Sequence, residues 1–287
     1  MKRVAILGCE NSHADTFLKV IKEKYTDVSV VGVYSKERAA AERLEELFGV
    51  RVMDAPSDVV GEIDGLIITA RHGDEHFAYA KPYIASGIPM FIDKPITVSE
   101  EEALLFMREL RKAGVRICGG SLLKNTALVR ALKEKGASLV DGRTVGGALR
   151  APISMENAYG GFFFYAQHLV EMACEIFGRY PKSVCAHRTL DTVNVLFSYG
   201  DFAVNGTFCD KMYTYYAARY AQNGVEGGPV CITEEASYQE VEDFYRLLLG
   251  EEQRVSYEDF ISPVFIMNAI VRAMESGREE PVRSYEL

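Results

Sequence analysis

The sequence contains no run of 18 or more apolar residues, the length a membrane-crossing helix needs, and no lysine and arginine stripe that could track a phosphate backbone. With 32 basic residues against 41 acidic ones the net charge is −9, so neither a membrane nor nucleic acid is an expected partner. The six cysteines, Cys9, Cys118, Cys174, Cys185, Cys209 and Cys231, form no C-x-x-C pair. That spacing excludes a zinc ribbon or a redox dithiol and marks them as reduced, mostly buried small apolar residues. Internal repeats, low-complexity tracts and a Pro/Ser-rich linker are missing too. The apolar run after Lys2-Arg3 stops at Glu10, too short for the apolar core of a secretory signal, and the expected location is cytoplasmic.

What is present is the ordinary mixture of a globular protein, 48% hydrophobic and 25% charged over 287 residues, enough for two domains. Short β-branched runs at 4–7, 28–34, 65–69, 90–92 and 116–118 are nearly all apolar, as strands covered on both faces should be. Helical stretches separate them, such as 37–48, which ends at Gly49, and 100–113, which starts with capping-box spacing at Ser99 and Glu102 and ends at Gly114. This alternation predicts a doubly wound α/β domain over 1–122. After about residue 123 strands follow one another at 145–150, 183–190, 192–199 and 202–209, with a hairpin turn at Tyr199-Gly200-Asp201. Helices are expected at 126–135, 163–177, 238–249 and 259–275. Residues 123–287 therefore read as an α+β domain on an open, mostly antiparallel sheet, whose last helix could return to the first domain.

A doubly wound sheet binds its ligand beyond the carboxyl ends of its strands. There the first βα turn reads Gly8-Cys9-Glu10-Asn11-Ser12-His13. Gly8 fits the first position of the G-x-G-x-x-G dinucleotide fingerprint, while Glu10 and His13 replace the second and third glycines. A carboxylate at the second position adds bulk and like charge where a pyrophosphate would approach, but Asn11, Ser12 and the following helix N-terminus can donate to an anion. The second strand ends in Tyr34-Ser35-Lys36-Glu37-Arg38 without the acid that holds the ribose of NAD. Ser35, Lys36 and Arg38 could instead hold a 2′-phosphate, which tilts the cofactor expectation from NAD toward NADP. Thr69, at the end of the third strand, and His76 complete the cofactor-side candidates. At 90–96 a strand runs into Asp93-Lys94-Pro95, and Tyr159 to His168 opens a second-domain helix with Gly160-Gly161 before it.

On these residues the sequence resembles the Gfo/Idh/MocA family of NAD(P)-dependent sugar and polyol oxidoreductases. Asp93-Lys94-Pro95 stands where that family has Glu-Lys-Pro, and the likeness extends through Ile63-Asp64-Gly65, His76, Ala85-Ser86-Gly87 and Val255 to Asp259. The resemblance implies a Rossmann domain in the first half. It further implies that Lys94 orients substrate and cofactor and assists proton transfer, and that His168 is the histidine of a D-x-x-x-H pair facing that lysine. Phe164 occupies the aspartate position of that pair. The expected reaction is hydride transfer between NAD(P) and a secondary alcohol, which needs a base for the hydroxyl proton. Lysine tuned by burial, or histidine, suits that task near neutral pH.

Two other readings compete. His72-Gly73-Asp74-Glu75-His76 matches the zinc pattern H-x-x-E-H, but Gly73 breaks the continuous helix that pattern needs, so no metal is expected. Glu10, the missing acid and Phe164 also suit a catalytically lapsed binding or regulatory protein that keeps the oxidoreductase fold. The tyrosines of Met212 to Tyr220 fall on both faces of an expected strand and suggest a homo-dimer or homo-tetramer, unless they line the substrate site.

Overall fold

The structure, a computed structural model, describes residues 1–287. Its chain divides into two compact units, one of Met1–Gly120 with Ser237–Tyr257 and Leu287, the other of Ser121–Ala236 with Glu258–Glu286.

In the first unit β1 (Lys2–Leu7), β2 (Val28–Tyr34), β3 (Gly65–Ile68), β4 (Met90–Asp93) and β5 (Ile117–Gly120) form one sheet in the order β2-β1-β3-β4-β5. Every pair in it is parallel. The strands are joined through α1 (Ser12–Lys24), α2 (Arg38–Phe48), α3 (Asp74–Ala80) and α4 (Glu100–Lys112). Buried runs such as Val4, Ile6, Ile67 and Phe91 pack against Phe17, Leu44 and Val20 from the helices. This is the all-parallel sheet that the apolar runs predicted. The start and stop signals act as their chemistry requires. Ser99 accepts from Glu102 N–H at the start of α4, and Gly49 ends α2 in the left-handed region. At the far edge, a side chain on Gly119 would come within 2.0 Å of Ile92 O, so only glycine lets β5 lie this close to the end of β4. The order reverses at β1, with β2 on one side and β3 on the other, which makes the carboxyl ends of β1 and β3 the switch point of the sheet.

The second unit holds α5 (Ala127–Ser138), β6 (Thr144–Ile153), α6 (Phe163–Phe177), β7 (Ser183–Arg188), β8 (Thr192–Ser198), β9 (Ala203–Asp210), β10 (Tyr215–Ala221) and β11 (Gly224–Val230). A two-residue strand, β12 (Glu280–Pro281), completes its sheet in the order β11-β10-β6-β9-β8-β7-β12. Five of the pairings are antiparallel and β6 with β9 is parallel. Leu149, Ala151, Val195, Phe197, Val204 and Phe208 face α6 residues Leu169, Val170 and Ala173 in a single core. The alternate residues Leu196, Asn205 and Cys185 stay at the other face. α8 (Tyr257–Ser276) also packs in this unit through Ile266, Met267 and Ile270.

Two sequence expectations change, and one strand appears that the sequence reading did not contain. The helix that returns to the first unit is α7 (Glu234–Leu248), whose Val241, Phe244 and Leu248 join that unit's core, and not the last helix. β11, rich in Gly and Pro and so a poor strand former, exists because β10 offers it an edge to pair with. The aromatic segment becomes a strand only from Tyr215, leaving Met212 and Tyr213 in the preceding loop.

Candidate active site

The cofactor-side candidates of the first unit separate into residues that build the turn and residues that face out of it. Gly8 has φ +83°, and a Cβ there would meet Ala70 N at 2.3 Å, so the turn after β1 is closed by contact with the chain after β3. Thr69, fully buried, donates through Oγ1 to Gly8 O at 3.0 Å. His76, also fully buried on α3, bonds Ala70 O through Nε2 at 2.9 Å. Burial pushes its imidazole below the ordinary range, so it stays neutral and braces the residue against which Gly8 packs. Any part His76 plays toward a cofactor therefore runs through that brace. His72 lies outside α3, which starts at Asp74, so the two histidines of the zinc pattern do not share a helix.

Asn11 caps α1, accepting from His13 N–H, and its Nδ2 donates to Asp93 Oδ2 at 3.3 Å. His13 Nδ1 lies 2.7 Å from the same oxygen, and Lys94 N–H donates to Asp93 Oδ1 at 2.8 Å. A carboxylate has no proton to give, so Nδ1 of His13 carries it and Nε2 is left for a second partner. Burial opposes the Asp93 charge, yet His13, Lys94 and these bonds hold its carboxyl below the usual range. The third fingerprint glycine has thus been exchanged for a histidine that ties the start of α1 to the end of β4. Ser12 is exposed beside it. Lys94 is 4% exposed, and burial, with Arg71 adding to it and Asp93 and Glu240 opposing, lowers its ammonium pKa.

Glu10 does not point its charge at α1. Its Oε2 accepts from Ser35 Oγ at 2.7 Å and its Oε1 from Arg71 N–H at 3.0 Å, bridging the chain beyond β2 and β3. Lys36 pairs with Glu75 at 2.5 Å, and Arg38 with Glu42 and Asp54 at 3.0 Å each. The N-terminus of α1, capped by Asn11, and the closed Gly8 turn fit a dinucleotide pyrophosphate, because the one intruding carboxylate is bound elsewhere.

On the second unit His168 sits on α6, 4% exposed, with Nδ1 2.7 Å from Ser121 Oγ. Ser121 also receives Leu123 N–H and gives its own N–H to Glu171, a fully buried acid whose pKa burial raises. Sequence reasoning missed Ser121, which only follows the Gly119-Gly120 pair and carries no motif. Around His168 stand Tyr165, with ring centroids 6.2 Å apart, and Tyr215, at 5.7 Å, while Tyr213 meets Tyr165 at 6.0 Å. Of the tyrosines first weighed as an assembly face, Tyr215 thus packs on the histidine and Tyr213 on Tyr165. Phe164, in the aspartate position, stacks among Tyr159 and Tyr165 and gives the imidazole no carboxylate. Asn125, in the turn after Ser121, holds a buried Nδ2 with no hydrogen-bond acceptor.

A parallel sheet with a closed glycine turn at its switch point, a capped helix behind it and a buried strand-end lysine make the first unit a Rossmann-class domain with its ligand side at the carboxyl ends of β1 and β3. Residues 2–120 match the profile of the Gfo/Idh/MocA family, described as an oxidoreductase family with an NAD-binding Rossmann fold. No curated protein matches the chain in sequence. Among solved structures, a myo-inositol dehydrogenase from Corynebacterium glutamicum superposes with TM-score 0.84 at 17% identity, over 99% of this chain and 100% of that one. A scyllo-inositol dehydrogenase from Lactobacillus casei, with bound NAD(H) and scyllo-inositol, gives 0.85 at 16% identity over 99% and 100%. GenD2 from gentamicin A biosynthesis, in complex with NAD, gives 0.85 at 16% over 99% and 97%. At these identities the likeness establishes a common fold over both units.

Proposed function

We propose that this protein moves a hydride between NAD or NADP and a secondary alcohol of a sugar, a polyol or a related small molecule. The nicotinamide ring supplies the hydride donor or acceptor when bound, and the chain supplies position and proton transfer. Lys94 carries the reading. It is a lysine at the carboxyl end of a parallel strand, nearly fully buried and with its ammonium pKa lowered by that burial. Such a group orients a hydroxyl oxygen and exchanges a proton at a pH where an exposed lysine stays charged. His168 takes the hydroxyl proton at Nε2, with Nδ1–H held on Ser121 Oγ, which has lone pairs for both this donor and Leu123 N–H. Tyr165, Tyr213 and Tyr215 offer apolar ring faces with polar edges, and Asn125 offers a donor, a combination suited to the CH and OH surfaces of a polyol. The inositol dehydrogenases among the structural relatives support that substrate class. The exposed face of β7, β8 and β9 supports a homo-dimer or homo-tetramer.

Titrating the protein with NADH or NADPH and following cofactor fluorescence should give a Kd on the order of micromolar. Binding of neither nucleotide would defeat the proposal. With polyol substrates, Lys94→Ala and His168→Ala should each lower kcat about a hundredfold or more while nucleotide affinity holds. A lapsed binding protein would instead bind nucleotide and show no turnover for either variant to lose.

A further inference from the structure

The second strand of this sheet ends without an acid, and the turn after the first strand contains one that a pyrophosphate site does not want. The geometry joins these two anomalies. We propose that Glu10 is the acid that holds the adenosine ribose of the dinucleotide, delivered from the turn after β1 to the end of β2, and that it makes the protein selective for NAD(H) over NADP(H). The inference rests on the dinucleotide reading above and goes beyond it by naming the form of cofactor and the residue that selects it.

Ser35 is the first residue past β2, the place from which a Rossmann sheet presents its ribose-binding acid. Its hydroxyl accepts Glu37 N–H at 3.1 Å and donates to Glu10 Oε2 at 2.7 Å, so the carboxylate is fixed at that strand end. The other oxygen is fixed by Arg71 N–H at 3.0 Å, beyond β3. Each carboxylate oxygen accepts at two sites, so after these bonds each retains one for a ribose hydroxyl, and a vicinal diol matches the pair. A 2′-phosphate would bring roughly two negative charges against that carboxylate. The basic residues that could offset it are engaged: Lys36 with Glu75, and Arg38 with Glu42 and Asp54. With Lys36 and Arg38 already paired, the proposal runs opposite to the NADP expectation drawn from Ser35, Lys36 and Arg38 in the sequence.

The test is fluorescence titration of the full chain with NADH and with NADPH, repeated on Glu10→Gln. The wild type should bind NADH at least about tenfold more tightly, and E10Q should weaken NADH and bring the two affinities within about threefold, since the lost interactions are charge-assisted hydrogen bonds. Adding Ser35→Asp to E10Q should restore the NADH preference by returning an acid to the end of β2, and if E10Q folds poorly the wild-type ratio of NADPH to NADH affinity still decides the proposal. Equal or tighter binding of NADPH by the wild type overturns the proposal, as does a selectivity ratio that E10Q leaves unchanged. Binding of neither nucleotide would bring down the dinucleotide reading itself, whereas the other two failures leave that reading standing.

Discussion

At the scale of single residues, the hydroxyl of Ser121 stands in for a carboxylate. Four residues before His168, on the same face of α6, the chain has Phe164, which cannot orient an imidazole. Ser121 reaches the ring from the segment before α5 instead, at 2.7 Å from Nδ1. A neutral hydroxyl holds the ring's orientation but adds no charge, and one such bond contributes about 1 kcal/mol. Ser121→Ala should therefore lower kcat about tenfold while KM and nucleotide affinity stay near wild type, and Ser121→Thr should recover most of the loss. A merely structural role for Ser121 would leave kcat of the folded fraction unchanged and would show no recovery in the threonine variant.

At the scale of elements, the bond between Asp93 at the end of β4 and His13 in the first turn of α1 fastens a strand to a helix that is not its sequence neighbour. The Asp93 carboxyl is held below its usual range in the fold. A lowered native pKa contributes stability that is complete above the unfolded value of about 3.9 and is lost as pH falls from there through the native value. In urea unfolding, Asp93→Asn should cost stability at pH 7, and its deficit relative to wild type should shrink as pH drops through that window. A deficit that is constant with pH would mean that the ionised carboxylate is not what joins β4 to α1. Strand ends, caps and the Asp93-Lys94-Pro95 motif were legible in the sequence, because turn residues and 3.6- or 2-residue periods are near-neighbour information. The His13 to Asp93 pairing was not, since nothing local in Gly8 to His13 indicates which strand will arrive beside it.

For the whole molecule, no helix is long and apolar enough to cross a membrane. The cysteines are all free, and they differ sharply in access. Burial pushes Cys9 and Cys174 up to about 12, while Cys185 on β7 and Cys231 are exposed in the single chain. Cys185 lies among Leu196, Asn205 and Thr207 on the face of β7, β8 and β9 opposite α6. If that face pairs with a second copy, light scattering should give at least twice the 32.0 kDa chain mass, and a thiol reagent should label Cys231 rapidly and Cys185 slowly. A mass of one subunit, or equal labelling of the two, would refute the pairing.

By itself the sequence determined the parallel layer of the first domain and a strand-rich second domain, the places where strands end and the lysine and histidine that stand there, because buried runs, alternation and capping are written in residues close along the chain. Only the tertiary structure decided what those residues touch. Ser121 and His168 are 47 positions apart, Glu10 and Arg71 61, and His13 and Asp93 80. Such pairs meet according to strand order and the parallel pairing of β6 with β9, which follow from burying the faces of the elements together and not from any segment's own preference.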